Sequence, residues 1–257
     1  MNDVKKDREM PLEASYDYGW WAATVLNILL FGGFVLSFLA PTRRHEWRSF
    51  GVFLAFIVAL FAEMYGFPLT IYLLTSLLGG FFPLTDPFRH LNGHLWVSLF
   101  GGPDWLKDVV CQMGSVAMLG GLLLMGIGWR HIHRAHGGLV TDSVYRSMRH
   151  PQYSALMLIT LGMLMQWPTL PTLLMGPVLI VAYYRLARYE ERVLLAHFGD
   201  AYRQYMAHVP AFVPRWRPWR GPRPEAQHDP ALSGGGAGAD VGPHDWQQPA
   251  EPLLKEP

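Results

Sequence analysis

QYSALMLITLGMLMQWPTLPTLLMGPVLIVAYY, residues 152–184, contains no Asp, Glu, Lys or Arg. Pro168 and Pro171 lie at its centre, and each side of this turn supplies about 15 residues, which is about 22 Å of helix. That length nearly crosses the hydrocarbon core of a bilayer, which is about 30 Å thick. We therefore predict a helical hairpin whose two arms cross the membrane in opposite directions.

Three more apolar runs precede this hairpin. Residues 19–40 and 109–129 contain no charged side chain, and residues 49–85 contain only Glu63. Over the whole chain 51% of the residues are hydrophobic and 16% are charged, against about 25% charged in soluble proteins. Runs of this length exclude a soluble domain and predict an all-α, multi-pass transmembrane helical bundle of about five spans.

The run 49–85 is too long for one upright span, and Gly66 and Pro68 interrupt it. A kinked span and two short helices both fit this pattern, and we favour one kinked helix over residues 50–79. The proline-containing residues 81–108 then predict an amphipathic loop outside the membrane.

The residues beyond the hairpin predict a short helix followed by a disordered tail. Gly199 suits a left-handed C-cap, and Asp200 suits the start of a short helix over residues 201–208. Residues 216–257 are rich in Pro, Gly and Ala and have few large apolar groups, so we expect them to be disordered. The polar start, Met1–Asp17, is unlike a secretory signal, so the first span is expected to be retained.

Positive charge near the spans predicts the orientation. There are three arginines in residues 41–48, four in 130–149 and eight in 185–223, against Arg89 and Lys107 in the 81–108 loop. Arginine-rich loops stay in the cytoplasm. With five spans, the C-terminal region is expected to be cytoplasmic and the N-terminus outside, in what we interpret as a bacterial inner membrane.

The strongest candidate for a site joins the two mouths of the hairpin. Arg149-His150-Pro151-Gln152-Tyr153 precedes the first arm, and Glu190-Glu191 follows the second. Pro151 suits a first helical turn, with His150 just outside the helix. The two adjacent carboxylates lie about 100° apart around the helix, so at least one should face the other arm. Alternatively, Arg188 and Glu191 form an ordinary ion pair three residues apart.

Residues 145–215 resemble the C-terminal region of the isoprenylcysteine carboxyl methyltransferase and phospholipid methyltransferase superfamily. The resemblance extends to about residues 109–215. It departs from the family at Ser143-Val144-Tyr145, where many members have Gly-Pro-Tyr, and at Ala155, where glycine is frequent. The matching residues follow one another as Arg149-His150-Pro151-Gln152-Tyr153, Glu190-Glu191, Leu194 or Leu195, Phe198-Gly199, Tyr202, Tyr205, and Val209 through Phe212, Pro214 and Arg215.

The resemblance implies a cofactor, S-adenosylmethionine, and a site for it. His150, Pro151 and Tyr153 would contact the cofactor, and Glu190 and Glu191 would hold its α-amino group. Arg149 would act in catalysis, by supporting the cofactor carboxylate or the loop. The implied domains are a polar segment (1–18), N-terminal membrane helices with an outer loop (19–108), a methyltransferase-like membrane domain (109–215) and the tail (216–257).

Glu63 is the second candidate for catalysis, because a carboxylate alone in a span is costly unless it has a role or a partner. One interpretation is acceptor binding or proton removal, and the other is a protonated carboxyl that donates a hydrogen bond to another helix. No metal site is predicted: Cys111 is the single cysteine, and His90 and His94 have no carboxylate or cysteine at a recognisable spacing.

These observations together predict an integral membrane methyltransferase that acts on a small or lipid-like thiol, carboxylate or amine. A sterol-reductase-like enzyme that uses NADPH and a non-catalytic membrane scaffold are the alternatives. The expected partners are membrane lipid and a lipophilic or small-molecule methyl acceptor, without nucleic acid. The sequence leaves open the acceptor, the role of residues 1–108 and the oligomeric state.

Overall fold

The computed structural model describes residues 18–38, 44–81, 90–134 and 138–219. The predicted polar segment and disordered tail lie outside this description, apart from Tyr18 and residues 216–219. The described residues fold as helices without any strand, which confirms the all-α prediction. The seven α-helices are α1 (Trp21–Phe38), α2 (Arg44–Phe61), α3 (Leu69–Leu78), α4 (Leu95–Leu99), α5 (Asp104–Arg134), α6 (Pro151–Gln166) and α7 (Leu170–His208).

Three segments in the described part of the chain are long and apolar enough to cross a membrane: Arg48–Gly66, Trp105–Arg134 and Leu170–His208. Two shorter apolar helices, α1 and α3, accompany them. Large apolar side chains on α1 are exposed, including Leu26 and Leu29 at 65% and 67%. Such surfaces are stable in lipid, where apolar side chains need no cover. The protein is therefore a helical membrane protein, and the predicted number of five crossings stays a prediction.

The single kinked helix expected over residues 50–79 is wrong, because the chain breaks there into two helices. A π-helical turn, Ala62–Gly66, follows α2, and Phe67 is extended at φ −119° and ψ 121°. Pro68 explains the break, since it has no backbone N–H and forces the residue before it out of the helical region. Gly66 permits a close contact, because a Cβ there would lie 2.7 Å from the Trp21 ring.

The predicted loop over residues 81–108 contains more structure than expected. A 3₁₀ turn, His90–Gly93, is followed by α4, and α5 begins at Asp104, five residues before the predicted span. The His94 ring nitrogen Nδ1 lies 2.8 Å from the carbonyl of Gln166, and the Trp96 indole donates to Leu164 at 2.9 Å. These contacts satisfy carbonyls at the end of α6 that have no partner within the helix.

The predicted hairpin is present as α6 and α7. Its turn is closed by reciprocal contacts: the Thr169 N–H donates to the Thr172 hydroxyl at 2.9 Å, and the Thr172 N–H donates to the Thr169 hydroxyl at 3.2 Å. Close helix packing supports the first arm, because a Cβ on Gly162 would lie 2.8 Å from the carbonyl oxygen of Gly114 in α5. Small residues let helices approach this closely in membranes.

The second arm is longer than a bilayer is thick, since its 39 residues make about 58 Å of helix. Gly199 bends it and has the predicted positive φ of 51°, but its ψ of −123° differs from the left-handed cap, and helix resumes directly to His208. Beyond the bend Phe198, Tyr202, Tyr205 and Val209 pack as one buried cluster. Trp219 packs against this cluster, although residues 216–219 were expected to belong to the disordered tail.

The described chain divides into two compact units. The first contains the described residues between 18 and 119 together with residues 158–182, and the second contains the described residues between 120 and 157 together with residues 183–219. Every candidate site residue of the hairpin mouths belongs to the second unit, and Glu63 belongs to the first. The predicted functional division at residue 108 stays a prediction.

Candidate functional site

The last residues that the structure describes, 209–219, hold the loop in front of α6, and we call them the strap. The backbone N–H groups of Arg149 and His150 donate to the carbonyls of Pro210 and Ala211 at 2.9 and 3.0 Å. Two further bonds run the other way, from Arg215 to Ser147 and from Trp219 to Arg146. This pairing fixes the loop backbone without help from a ligand.

Pro151 occupies the predicted position as the first residue of α6. The carbonyl of His150 accepts the first helical hydrogen bond, from Ser154 at 3.0 Å. The Ser154 hydroxyl in turn donates to the carbonyl of Phe212 at 2.8 Å. Proline suits this position because it has no N–H to leave unsatisfied, and it sets where the His150 side chain emerges.

The Arg149 guanidinium contacts backbone carbonyls on one side and a carboxylate on the other. Its Nη1 donates to the carbonyls of Met206 and Val209 at 2.9 and 2.8 Å, where α7 ends. Its Nε and Nη2 lie 3.0 and 2.7 Å from the Glu191 carboxylate. Only 10% of the Arg149 side chain is exposed. Because these contacts use most of the donors of a guanidinium, the residue stabilises the loop, and its predicted catalytic role stays a prediction.

Glu191 is buried with its charge fully compensated. Its Oε1 accepts from Arg149 and lies 3.1 Å from His150 Nε2, and its Oε2 accepts from Arg188 Nη1 at 2.8 Å. The ion pair with Arg188, which the sequence offered as the alternative, is therefore present. Buried charges persist in proteins only when they are paired in this way. Glu191 holds Arg149 and His150 in place, and little of its carboxylate faces solvent.

Glu190 differs from its neighbour in exposure. Its side chain is 46% exposed, against 3% for Glu191. The Tyr153 hydroxyl donates to Glu190 Oε1 at 2.6 Å, and His150 Nδ1 lies 3.7 Å from Glu190 Oε2. A short bond from a phenol to a carboxylate fixes the orientation of the carboxylate. Glu190 can therefore present a fixed negative charge to a cationic ligand group.

Aromatic rings surround these polar groups. The His150 ring lies 5.7 Å from the Phe212 ring and 6.0 Å from the Tyr153 ring, between their centroids. The Tyr183 ring stacks on the Tyr153 ring, with 6.3 Å between their centroids. Apolar walls around ionised groups exclude water and so strengthen their electrostatic interactions.

Tyr145 anchors the start of the site loop. Burial raises the pKa of its hydroxyl, with a smaller contribution from the charge of Glu190, so the phenol stays protonated. Its backbone carbonyl accepts from the Tyr205 hydroxyl at 2.6 Å. Two residues earlier, Ser143 adopts φ 52°, a left-handed conformation that glycine adopts without strain. This is the position at which many members of the resembling family have glycine.

Glu63 has a structural partner in the first unit. Its Oε2 accepts the backbone N–H of Thr70 at 2.9 Å, in the first turn of α3. The Thr70 hydroxyl then accepts the N–H of Leu170 at 2.9 Å, in the first turn of α7. These bonds satisfy N–H groups that have no partner within a helix. The structure therefore shows Glu63 Oε2 as a hydrogen-bond acceptor, where the sequence suggested a donor, and the catalytic role of Glu63 stays a prediction.

Sequence reasoning missed two residues of this neighbourhood. Phe212 was part of the matching pattern, but nothing along the chain indicated that its ring contacts His150. Tyr183 carried no signal because it reads as one more apolar residue of the span. Helical spacing relates it to the site, since residues 183 and 190 are seven apart on α7 and share a helix face.

Comparisons with known proteins show which sequences this region resembles. Residues 112–201 match the model of the phospholipid methyltransferase family. Two relatives from Arabidopsis thaliana, protein-S-isoprenylcysteine O-methyltransferases B and A, are 29% and 30% identical over 139 residues, which cover 49% of this chain. The protein of the same name from Schizosaccharomyces pombe is 38% identical over 77 residues, 30% of this chain and 33% of its own length.

The matched region covers 64% of the length of each Arabidopsis relative. No solved structure matches the chain. The family model ends within α7 and includes every predicted site residue of the hairpin mouths. Residues 112–201 are thus similar to the isoprenylcysteine carboxyl methyltransferase and phospholipid methyltransferase superfamily, which is the resemblance that the sequence motifs predicted.

Proposed function

We propose that this protein is an integral membrane methyltransferase that uses S-adenosylmethionine to methylate a lipid-like acceptor. The observation that carries the proposal is the contrast between two adjacent glutamates inside the family-matched region. Glu191 is neutralised by cations of the protein itself, whereas Glu190 is oriented by Tyr153 and remains 46% exposed. An oriented, partly exposed carboxylate fits the ammonium group of an amino-acid moiety.

The chemistry of these side chains fits the proposed cofactor. Glu190 would hold the α-amino group of the cofactor. The residues that line the cofactor beside it would be His150, Pro151 and Tyr153. Glu191 contributes indirectly, because it keeps Arg149 and His150 in place. S-adenosylmethionine would supply a methyl group on a positively charged sulfur, which the acceptor would take while the sulfur leaves as a neutral thioether. The residues of this chain then act mainly by orienting the reactants and excluding water.

The relatives favour one class of acceptor. Their names describe O-methylation of isoprenylcysteine, which joins an apolar tail to a carboxylate. A carboxylate attacks without losing a proton, so this reaction needs no general base among the residues described. We therefore propose a lipid-like carboxylate as the methyl acceptor. A phospholipid amine and a thiol are the alternative acceptors to test beside it. We propose that the site lies on the cytoplasmic side of a bacterial inner membrane, because the arginine-rich segments are expected on that side.

Titration of the purified, detergent-solubilised chain with S-adenosylhomocysteine and with NADPH tests the cofactor. We expect saturable binding of the former alone. Saturable binding of NADPH alone would favour a reductase, and binding of neither would favour a scaffold. Glu190→Gln removes one charge-assisted hydrogen bond and should weaken S-adenosylhomocysteine binding by about ten- to a hundredfold.

The matched control is Asp200→Asn. Asp200 lies on the same helix and pairs with Arg203 three residues on, and both side chains are about three-quarters exposed, at 76% and 74%. This variant should bind S-adenosylhomocysteine as tightly as the parent, since exposed pairs contribute about 0–1 kcal/mol to folding and nothing to the ligand. Equal affinity for the parent and Glu190→Gln would show that the cofactor amino group is held elsewhere.

A further inference from the structure

Tyr183 carries a buried hydroxyl that has no hydrogen-bond partner among the residues that the structure describes. The residue is only 3% exposed. A buried hydroxyl without a partner destabilises a fold, and such groups in native proteins usually mark a role or a bound molecule. Phenylalanine would fill the same space without that cost. The hydroxyl therefore needs an explanation outside the packing of the protein.

The place of Tyr183 on α7 relates it to the proposed site. Residues 183, 187 and 190 follow a spacing of four and three, so they share one face of the helix. Ala187 lies between Tyr183 and Glu190 on this face, is fully buried, and has only a methyl group as its side chain. The Tyr183 ring also stacks on Tyr153, whose hydroxyl donates to Glu190.

Depth separates Tyr183 from the charged end of this face. It precedes Glu190 by seven residues, which is about 10 Å along the helix. It belongs to the uncharged part of α7, whereas Glu190 follows the first arginines, Arg185 and Arg188. A ligand whose polar group reaches this depth must have an apolar remainder, because hydrocarbon surrounds the helix there. The amino-acid end of the cofactor is accounted for at Glu190.

We propose that the Tyr183 hydroxyl donates a hydrogen bond to an oxygen of the lipid-like methyl acceptor and positions its headgroup for methylation. The inference rests on the proposed function and deepens it, since it assigns a residue of this chain to the second substrate. Tyr183 is a positioning residue in this scheme. It orients a carboxylate through the oxygen that does not attack, and it neither gives up nor takes a proton.

The test compares Tyr183→Phe with the parent, with N-acetyl-S-farnesylcysteine as the acceptor probe. Steady-state methylation gives KM and kcat for the probe, and titration gives the Kd for S-adenosylhomocysteine. A second readout needs no turnover: it is the rise in melting temperature that the probe causes in protein saturated with S-adenosylhomocysteine. Tyr184→Phe is the control, because this neighbouring phenol is 51% exposed.

Loss of the hydrogen bond should raise the KM for the probe about tenfold or more and abolish most of the probe-induced melting shift. The Kd for S-adenosylhomocysteine should stay within about twofold of the parent, and Tyr184→Phe should match the parent throughout. Removing the orphaned hydroxyl should also leave the ligand-free variant at least as stable as the parent, so misfolding does not obscure the result.

Other outcomes overturn the inference in distinguishable ways. A parent that fails to bind S-adenosylhomocysteine contradicts the proposed function itself. A parent that binds it but neither binds nor methylates the probe overturns the assignment of a lipid carboxylate to Tyr183. An unchanged KM with a higher melting temperature would make the hydroxyl a tolerated defect or the ligand of a water molecule. A weakened S-adenosylhomocysteine affinity would assign the hydroxyl to the cofactor instead.

Discussion

Each compact unit of this protein buries a glutamate side chain, and the two side chains have different partners. In the first, Glu63 is 7% exposed and accepts hydrogen bonds from Thr70 at the start of a helix. In the second, Glu191 is 2% exposed and lies among Arg149, Arg188 and His150. Backbone N–H groups provide partial charge, whereas arginines provide full charge. The contrast teaches that a buried carboxylate in a membrane protein need not be a reactive group.

The largest expected effect distinguishes these two solutions. Glu191→Gln leaves Arg149 without its counter-charge at a position where only 10% of the Arg149 side chain is exposed. Breaking a buried ion pair on one side costs about 3–5 kcal/mol. We expect a large fall in the melting temperature of the detergent-solubilised protein. If stability changes by no more than in the exposed-pair control Asp200→Asn, the charges are better solvated than this description requires.

Glu63 should respond less, and in a manner that depends on the substituent. Glu63→Leu removes the acceptor for the Thr70 N–H and should cost about 1–3 kcal/mol of stability. Glu63→Gln keeps a carbonyl oxygen, so its melting temperature should stay close to the parent. Methylation by the Gln variant is the sharper measurement: loss of turnover at unchanged stability would support the catalytic role predicted from the sequence, and retained turnover would leave only the capping role.

The smallest effect concerns the backbone of the site loop. Ser143 is exposed and has φ 52°, which costs a non-glycine residue about 1–2 kcal/mol. Glycine relieves this strain but has more freedom in the unfolded chain, at about 0.5–1 kcal/mol. Ser143→Gly should therefore stabilise the protein by about 0.5–1 kcal/mol and raise the melting temperature by about 1–4 °C. A fall in melting temperature would mean that the Ser143 side chain contributes a contact of its own.

The hairpin could be predicted from the sequence because its signals are local. An uncharged run of fixed length and two central prolines suffice, and the structure has α6 and α7 where they were expected. The break between α2 and α3 was missed, although Pro68 was noticed. Whether a proline bends a helix or ends it depends on the partners of the freed backbone groups. Here the Glu63 side chain accepts the N–H of Thr70, a contact that the sequence pattern does not reveal.

The site was predictable as a set of residues but not as an arrangement. The motif brought His150, Tyr153 and both glutamates into consideration. Adjacent residues on a helix point in directions about 100° apart, so the sequence alone could not separate Glu190 from Glu191. The separation follows from Arg149, which contacts Glu191 because the strap fixes its position. That pairing connects segments about 60 residues apart, and no local pattern encodes it.

The strap also sets the order in which the protein matures on the ribosome. Arg149 has its carbonyl partners at Met206 and Val209, and the loop backbone has its partners at Pro210 and Ala211. At about 5–20 residues per second, synthesis reaches those partners about 3–12 s after Arg149 itself has been made. The hairpin can enter the membrane during that interval, but its mouth cannot close. A chain that stops before residue 209 should therefore insert normally and still lack a formed site.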